Sequence, residues 1–414
     1  MIKIKNKKEC CGCEACVQAC PKHCIDFIPD SQGFMYPRVN ESLCVNCGLC
    51  NKVCPIINVE DYALPTSTPV FAAYNKDAEQ RKTSSSGGIF TLLASDIIGR
   101  CGVVFGAAFD KKWNVVHCYA DKVSQIEPLK RSKYVQSRIG NSYKDVKAFL
   151  TNGKQVLFVG TPCQIAGLRR YLRKEYENLI TVDVVCHGVP SPMIWQKYLK
   201  EKKSEIVSSH QGVREDDVEF TSISFRDKVK SWRRYHLSFT YMVRKDGINA
   251  IGTDIIGETS SQFVWENDYM LSFLHDYANR PSCFDCKFRN GRCRSDITLA
   301  DFWGIENLTE DKDLKEDKGI SLIMIHSSKG KEMIDRLPCY VKQFTFEGSF
   351  RGNPAVFKNW PKPISHGLFF KECRTHSIRY SFEKAHKVQE TYAPFLKFKN
   401  RVTRKLVKLW QKLV

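Results

Sequence analysis

The pattern of apolar and polar residues predicts an α/β organisation for most of the chain beyond residue 69. Helical spacing of apolar residues predicts helices over 89–98 and 164–174. Buried strands are predicted by apolar runs at 70–74, 102–109, 156–159 and 180–185. The strand–helix–strand order between 156 and 185 is a βαβ unit, so its two strands should be parallel.

Other stretches follow different patterns. Residues 33–39 alternate like a strand, and shorter alternating runs between about 210 and 260 predict antiparallel sheet. Residues 58–69, which contain two prolines, predict a linker. The charged run 309–318 is typical of a solvated loop.

The composition is that of a soluble globular protein, with 414 residues, 43% apolar and 26% charged. No stretch approaches the length of apolar sequence that a membrane span needs. The charged start lacks the apolar run of a signal peptide, so we expect a cytoplasmic protein. Two features are unusual, the 19 cysteines and the formal net charge of +19.

Ten of the 19 cysteines lie within the first 54 residues. Eight of them form two runs with the spacing C-x2-C-x2-C-x3-C, each followed by proline. This is the bacterial ferredoxin spacing, in which the fourth cysteine of each run binds the other cluster. We therefore expect two 4Fe-4S clusters, cluster I on Cys10, Cys13, Cys16 and Cys54, and cluster II on Cys44, Cys47, Cys50 and Cys20. Zinc, which usually takes two C-x2-C pairs, fits this pattern less well. The two surplus cysteines, Cys11 and Cys24, are expected to be packed thiols.

A second set of cysteines is predicted to meet at one edge of the sheet. Cys163 and Cys186 follow the two strands of the βαβ unit, and parallel strands end at the same edge. Cys283 and Cys286 form a C-x2-C pair that needs two further ligands. We expect a third 4Fe-4S cluster on these four cysteines. Cys293 competes with Cys186 as a ligand, and a structural zinc on Cys283, Cys286 and Cys293 is the alternative.

Several stretches together resemble the beta-subunit family of coenzyme F420-reducing hydrogenases and dehydrogenases. They are residues 84–90, 131–137, 160–169, 183–190, 283–286 and 295–304. The resemblance implies an iron–sulfur flavoprotein with FAD. It also implies an α+β fold, with a dicluster ferredoxin-like domain before an α/β flavin-binding domain that has a mixed sheet. The expected divisions are 1–57 for the dicluster domain, 58–69 for the linker, 70–380 for the FAD and iron–sulfur domain, and 381–414 for a basic C-terminal helix.

The flavin site is predicted on three segments. Small residues before a helix expose backbone N–H groups to an anion such as the FAD pyrophosphate; these are Ser84, Ser85, Ser86, Gly87 and Gly88. A helix N-cap without a ligand is the alternative. Nearby basic residues that would neutralise phosphate or reduced flavin are Lys130, Arg131 and Lys133, which otherwise belong to a solvated loop. Gly160, Thr161 and Gln164 are expected to contact the isoalloxazine. His187 is the candidate proton donor, although a lone histidine is more often structural.

The tail at 381–414 carries nine Lys and Arg against two Glu, with Leu, Val, Phe and Trp at roughly helical spacing. This pattern predicts either a helix on an anionic membrane surface or a terminal helix packed on the body. A nucleic-acid partner is not expected, because net charge is its sole support. We expect an oxidoreductase that moves electrons between ferredoxin, or a partner subunit, and a small two-electron acceptor, in either direction. The alternative is an electron-carrier subunit of a larger complex with no substrate site of its own.

Overall fold

The computed structural model describes residues 1–246 and 253–392. The strands are β1 (Ile25–Pro29), β2 (Met35–Val39), β3 (Val70–Asn75), β4 (Val103–Phe109), β5 (Val115–Ala120), β6 (Val156–Gly160), β7 (Leu179–Val184), β8 (Val218–Asp227), β9 (His236–Asp246), β10 (Thr253–Phe263), β11 (Ile297–Asp301), β12 (Ser321–Ile325) and β13 (Cys339–Phe344). The helices are α1 (Ala15–Ala19), α2 (Leu49–Lys52), α3 (Ala78–Lys82), α4 (Ile89–Gly99), α5 (Ser142–Thr151), α6 (Pro162–Leu172), α7 (Pro192–Ser209), α8 (Asp268–Leu274), α9 (Lys312–Lys315), α10 (Ser328–Asp335) and α11 (His366–Glu372).

A mixed sheet of eight strands forms the centre of the fold, in the order β13-β3-β12-β11-β7-β6-β4-β5. Strands β4, β6, β7 and β11 pair in parallel, and the pairs towards both edges are antiparallel. In the β6–β7 pair, Val156 lies opposite Leu179 and Gly160 opposite Asp183. The predicted βαβ unit is therefore confirmed, and the carboxyl ends of β6 and β7 lie side by side.

The predicted antiparallel segment forms a separate sheet of order β10-β9-β8. Its inner face packs with α7 and α8 around the fully buried Trp195, together with Phe225, Phe239 and Tyr269. Residues 378–392 are helical. Phe382 of this segment is buried in the same core, so the boundary predicted at 381 falls inside a packed helix. The remainder of the predicted tail, 393–414, lies outside the described residues.

The N-terminal residues form a β1–β2 hairpin with α1 and α2, and buried polar contacts dock them on the body. Glu14 accepts from Arg138 Nε at 2.7 Å and from the Ile139 N–H at 3.1 Å. Gln18 Oε1 accepts from the Tyr143 N–H at 3.0 Å, at the start of α5. A buried carboxylate with two donors is stabilised only where both are in place, so these contacts set the orientation of the two parts.

Two loop predictions are refined by the structure. The linker has no helix or strand, but Leu64 within it is buried and its N–H donates to Asn290 Oδ1. The charged run at 309–318 contains the short helix α9, because Asp311 caps it and Leu314 is buried in the core. None of the helices in the described ranges is long and apolar enough to cross a membrane.

Candidate functional site

Cys163 and Cys186 lie at the shared edge of β6 and β7, as predicted. Cys163 lies in the first turn of α6, which begins directly after β6 with Thr161 as N-cap and Pro162 in the first turn. Cys186 follows two residues after β7. The hydroxyl of Thr161 lies 3.2 Å from Cys163 Sγ. The turn that follows β6 therefore holds one thiol and a potential donor to its sulfur.

Cys283 and Cys286 join these two thiols. Both belong to the short helical turn around Pro281–Asp285. Burial and the neighbouring thiolates of Cys283 and Cys163 raise the pKa of Cys186 well above its usual value. Burial and Cys286 raise the pKa of Cys283 to about 12. Four half-buried thiols that raise one another's pKa in this way are costly to ionise unless a cation binds them. We call Cys163, Cys186, Cys283 and Cys286 the interior cysteine group.

Cys293 does not face this group. Its thiol donates to Asp183 Oδ2 at 3.4 Å and is buried in the core beneath the sheet. Among the described residues, no three His, Cys, Asp or Glu side chains converge on a point that one metal ion could occupy. The thiol of Cys293 is thus engaged by Asp183 rather than by Cys283 and Cys286, its partners in the alternative zinc site.

The N-terminal cysteines group as the ferredoxin pattern predicts. Burial and the thiolates of Cys10 and Cys54 raise the pKa of Cys16, which places three ligands of cluster I near one another. The contact of Cys13 with Cys11 lowers the pKa of Cys13, but burial and the neighbouring Cys54 thiolate outweigh it, so this pKa is also raised. A small cavity of about 20 Å³ is lined by all four predicted cluster II ligands, Cys20, Cys44, Cys47 and Cys50. The two surplus cysteines lie close to the ligand sets.

Cys11 lies between the N-terminal domain and the interior cysteine group. Its contact with Cys13 and its burial raise its pKa well above the usual value, while its contact with Cys163 lowers it. On the other side of the same junction, a Cβ placed on Gly167 of α6 would lie 2.9 Å from Cys13 Cβ. A predicted ligand of cluster I is therefore in direct contact with the helix that begins at the interior group.

A cavity of about 580 Å³ opens beside the interior cysteine group. This volume lies within the range of about 300–1,000 Å³ that is typical of small-molecule and cofactor sites. Its lining includes two cysteines of the group, Cys163 and Cys186. It also includes these predicted site residues: Ser84, Ser85, Ser86, Gly88, Arg131, Lys133, Gly160, Thr161, Gln164 and His187.

Gly87 does not line the cavity. Its N–H donates to Ser321 Oγ, and a Cβ on it would lie 2.5 Å from the carbonyl oxygen of Ala73. Gly87 therefore lets the loop pack against β3 and β12, which is a structural role. Gly88 adopts a positive φ of 83° and begins α4 without a side-chain cap from the described residues. The uncapped N-terminus of this 11-residue helix faces the cavity through Ile89, Phe90 and Thr91.

The segment that we call the serine loop (84–88) is held by partners outside it. Lys228 Nζ donates to the carbonyl oxygens of Arg81 and Ser86, each at 2.7 Å. Ser85 Oγ accepts from the Ser132 N–H at 2.8 Å. These contacts join the serine loop to the basic segment around Arg131, so both line the same end of the cavity.

The basic residues differ in their surroundings. Lys130 and Arg131 both pair with Glu127, at 2.8 and 2.9 Å. Lys133 donates to the Lys130 carbonyl at 2.7 Å. Burial and the positive charge of Arg131 lower the pKa of Lys133 to about 7. A partly buried ammonium of this kind is stabilised by an anionic ligand, because a nearby negative charge offsets the loss of hydration that lowers its pKa.

A buried hydrogen-bond network behind the cavity was not predicted from the sequence. Gln164 accepts from the Thr161 N–H at 2.9 Å and donates to Ser137 Oγ at 2.8 Å. His117 Nε2 donates to the Val159 carbonyl, so its Nδ1 accepts from Ser137, at 2.9 Å. Burial lowers the pKa of His117 to about 4. A neutral histidine thus fixes the Gln164 amide that shapes the turn before Cys163.

His187, the predicted proton donor, is partly exposed in the cavity. Its Nε2 lies 3.1 Å from Asp276 Oδ1. Its ring packs against Phe273 and Trp360, with centroids 5.2 and 5.8 Å away. The Asp276 carboxylate and the two aromatic rings therefore hold the imidazole in one orientation at the cavity wall.

The sequence also missed a buried ion pair at the cavity. Arg226 of β8 bonds Asp301 of β11, with its Nη1 2.7 Å from Oδ2, and its guanidinium lies 4.0 Å from the Tyr235 ring centroid. An arginine within an alternating strand carries no local signal, because its partner lies 75 residues away along the chain.

Comparison with known proteins gives the following matches. Residues 153–339 match the family described as the C terminus of the beta subunit of coenzyme F420 hydrogenase/dehydrogenase. Residues 9–57 match the 4Fe-4S dicluster domain. The chain is 23% identical over 229 residues to a coenzyme F420-dependent sulfite reductase of Methanocaldococcus jannaschii, covering 52% of this chain and 35% of that protein. A solved structure of the F420-reducing NiFe hydrogenase complex from Methanosarcina barkeri aligns with 18% identity and a TM-score of 0.40, covering 81% of this chain and 96% of that chain.

Proposed function

Because residues 153–339 belong to the coenzyme F420 hydrogenase/dehydrogenase beta-subunit family and residues 9–57 to the 4Fe-4S dicluster domain, we propose that the chain is an iron–sulfur flavoprotein oxidoreductase. It exchanges electrons between a one-electron protein carrier and a small two-electron acceptor. One observation carries the proposal: the large cavity is lined both by two members of the interior cysteine group, Cys163 and Cys186, and by the predicted flavin-binding segments.

The charge of the cavity lining and its volume support FAD as the ligand. The uncapped N-terminus of α4 and the half-buried ammonium of Lys133 would receive the pyrophosphate. Gly160, Thr161 and Gln164 would border the isoalloxazine, next to Cys163. A bound flavin supplies the conversion between one-electron and two-electron chemistry. His187 would hold a proton at Nε2 against Asp276 for delivery in the cavity.

The interior cysteine group would hold a third 4Fe-4S cluster. Its four thiols influence one another electrostatically, and Cys11 links the group to Cys13 of cluster I. Cys47 of cluster II is exposed and Cys13 of cluster I is buried, so the two N-terminal ligand sets run from the surface inwards, and Cys11 connects the inner set to the interior cysteine group. This sequence of sites suits electrons that enter or leave one at a time.

Anaerobic preparation with cofactor extraction tests the proposal. We expect FAD and about 12 iron atoms per chain, four for each cluster. Cys186→Ala should lose about four irons and should no longer pass electrons from reduced ferredoxin to the flavin. Cys293→Ala is a matched change of a buried thiol outside the group. This variant should keep its iron and should still pass electrons from reduced ferredoxin to the flavin. A preparation without flavin would refute the flavoprotein, and about eight irons in the unmodified chain would refute the third cluster.

The acceptor is tested separately. The relative from Methanocaldococcus jannaschii is named as dependent on coenzyme F420, so this deazaflavin is the first acceptor to try. The pure protein, reduced with dithionite, should be reoxidised by a small acceptor that enters the cavity. If no small acceptor reoxidises it and a partner protein does, the chain is an electron-carrier subunit.

The predicted membrane contact of the tail is a further part of the proposal. Deleting residues 393–414 should release the protein from membranes that contain anionic lipid. If the shortened protein is recovered with the membrane fraction in the same amount as the full chain, the predicted membrane contact is refuted.

A further inference from the structure

The predicted cluster II site lies closer to the surface than the cluster I site. Of its ligands, Cys47 is exposed and Cys44 half-buried, whereas Cys20 and Cys50 are buried. In cluster I, by contrast, Cys13, Cys16 and Cys54 are all buried. A cluster at the surface is the place where an external carrier approaches closely enough to exchange electrons.

Large apolar side chains surround this exposed site. Five of the fifteen exposed large apolar residues in the described part of the chain lie within the first 59 residues. Leu43 and Val45 flank Cys44 and are 55% and 58% exposed. Met1, 41% exposed, lines the small cavity beside the cluster II ligands together with Val45. Exposed apolar groups clustered at one place are typical of a protein contact surface.

The charge around the apolar residues is positive. Lys22 lines the same small cavity, and Lys52 ends α2, two residues after Cys50. Both are exposed, and neither forms an ion pair within the described residues. The nearby Asp26 is already paired with Arg38 at 3.6 Å. The surface of Met1, Lys22, Leu43, Val45 and Lys52 is here called the cluster II face. Its two lysines outnumber the one other exposed carboxylate beside it, that of Glu41, so the charge around the apolar centre is net positive.

We propose that the cluster II face is the docking site of an acidic one-electron carrier of the ferredoxin type. This proposal rests on the proposed function. The lysines attract an acidic partner and raise its association rate, and the apolar centre then excludes water from the contact. The carrier docks over Cys47, the most exposed ligand. The lysines determine the association rate of the carrier, and the apolar contacts of Leu43 and Val45 determine its dissociation rate.

The test uses the full holoprotein and an acidic two-cluster ferredoxin, reduced beforehand, in stopped-flow mixing. The double variant Lys22→Glu/Lys52→Glu reverses the charge of the face. Lys111→Glu/Lys200→Glu makes the same change in net charge at exposed lysines of the β4–β5 turn and of α7. At low salt we expect the first variant to be reduced about tenfold more slowly than the unmodified chain, and the second to be unchanged. Val45→Asp should weaken binding at any salt concentration.

Two readouts separate docking from other causes. All variants should be reduced equally fast by a small viologen dye, which needs no docking site. At high salt the difference between the double variants should disappear, because ions screen the attraction. A difference that persists at high salt would reflect an altered cluster potential and would overturn the proposal, as would equal rates at low salt. A wild-type chain that the dye reduces and the ferredoxin does not would refute the carrier while leaving the electron path of the proposed function intact.

Discussion

Gly167 lies where α6 meets the N-terminal domain, and its replacement by alanine tests whether that contact is required. A Cβ at this position would lie 2.9 Å from Cys13 Cβ, 3.1 Å from Cys13 Sγ and 2.8 Å from Tyr143 Oη. Carbon atoms normally pack at about 3.5–4.0 Å. The added methyl group therefore forces Cys13 and Tyr143 to move by several tenths of an ångström.

The expected cost follows from opposing effects. Alanine in place of glycine inside a helix stabilises it by up to about 1 kcal/mol. Forcing a methyl group into a filled core costs about 1–3 kcal/mol. Moving Tyr143 also strains the hydrogen bond of its Oη to the Gln164 carbonyl, 2.7 Å long, worth about 1 kcal/mol. We expect a net loss of about 1–3 kcal/mol in the free energy of unfolding.

The assay pairs stability with iron content, because Cys13 is a predicted ligand of cluster I. Gly367→Ala is the matched control, since Gly367 also lies in a helix, α11, and a Cβ there meets nothing within 4 Å. The control should keep its iron, and its unfolding midpoint should stay the same or rise, because alanine favours the helix and meets no clash there. Gly167→Ala should unfold earlier in urea and lose up to about four irons per chain. If Gly167→Ala matches Gly367→Ala in both measurements, the close contact between α6 and Cys13 is not required.

Three further predictions concern single side chains. The affinity of the flavin-free protein for FAD, measured by fluorescence titration, should fall as pH rises through about 7, where Lys133 loses its charge, and Lys133→Met should abolish that trend. Glu14→Gln should lower the free energy of unfolding by about 1–2 kcal/mol, because it weakens the hydrogen bonds to Arg138 at a buried site. Glu41→Gln, the same change at an exposed position, should leave the free energy of unfolding unchanged. Cys11→Ser should keep all the iron, since Cys11 contacts ligands without being one; loss of iron would make it a ligand.

The sequence was sufficient for features that depend on local pattern. The edge shared by Cys163 and Cys186 follows from two apolar strands and the chirality of a βαβ unit, so their approach could be predicted from residues 156–186 alone. The ferredoxin spacing was equally informative and is confirmed by the match of residues 9–57 to the dicluster domain. In both cases the fold is determined within a short segment.

Features that depend on pairing across the chain were not predictable. Arg226 meets Asp301 across two different sheets, and His117 reaches Gln164 through Ser137. Nothing near these residues in the sequence marks their partners. The role of Gly87 was misjudged for the same reason, since its contact with the Ala73 carbonyl forms only when β3 and the serine loop pack together.

The junction between the N-terminal domain and the body also depends on residues that are far apart in the sequence. Arg280, completely buried, donates to the carbonyl oxygens of Cys10 and Met35, at 2.8 and 2.9 Å, and to Gln136 at 2.9 Å. A buried guanidinium is costly unless each donor finds an acceptor. These acceptors come together only when the N-terminal domain sits in one orientation. Arg280 therefore opposes any movement that would separate Cys10 from the interior cysteine group, and in this way a buried cation would keep the two sites as close as the proposed electron path requires.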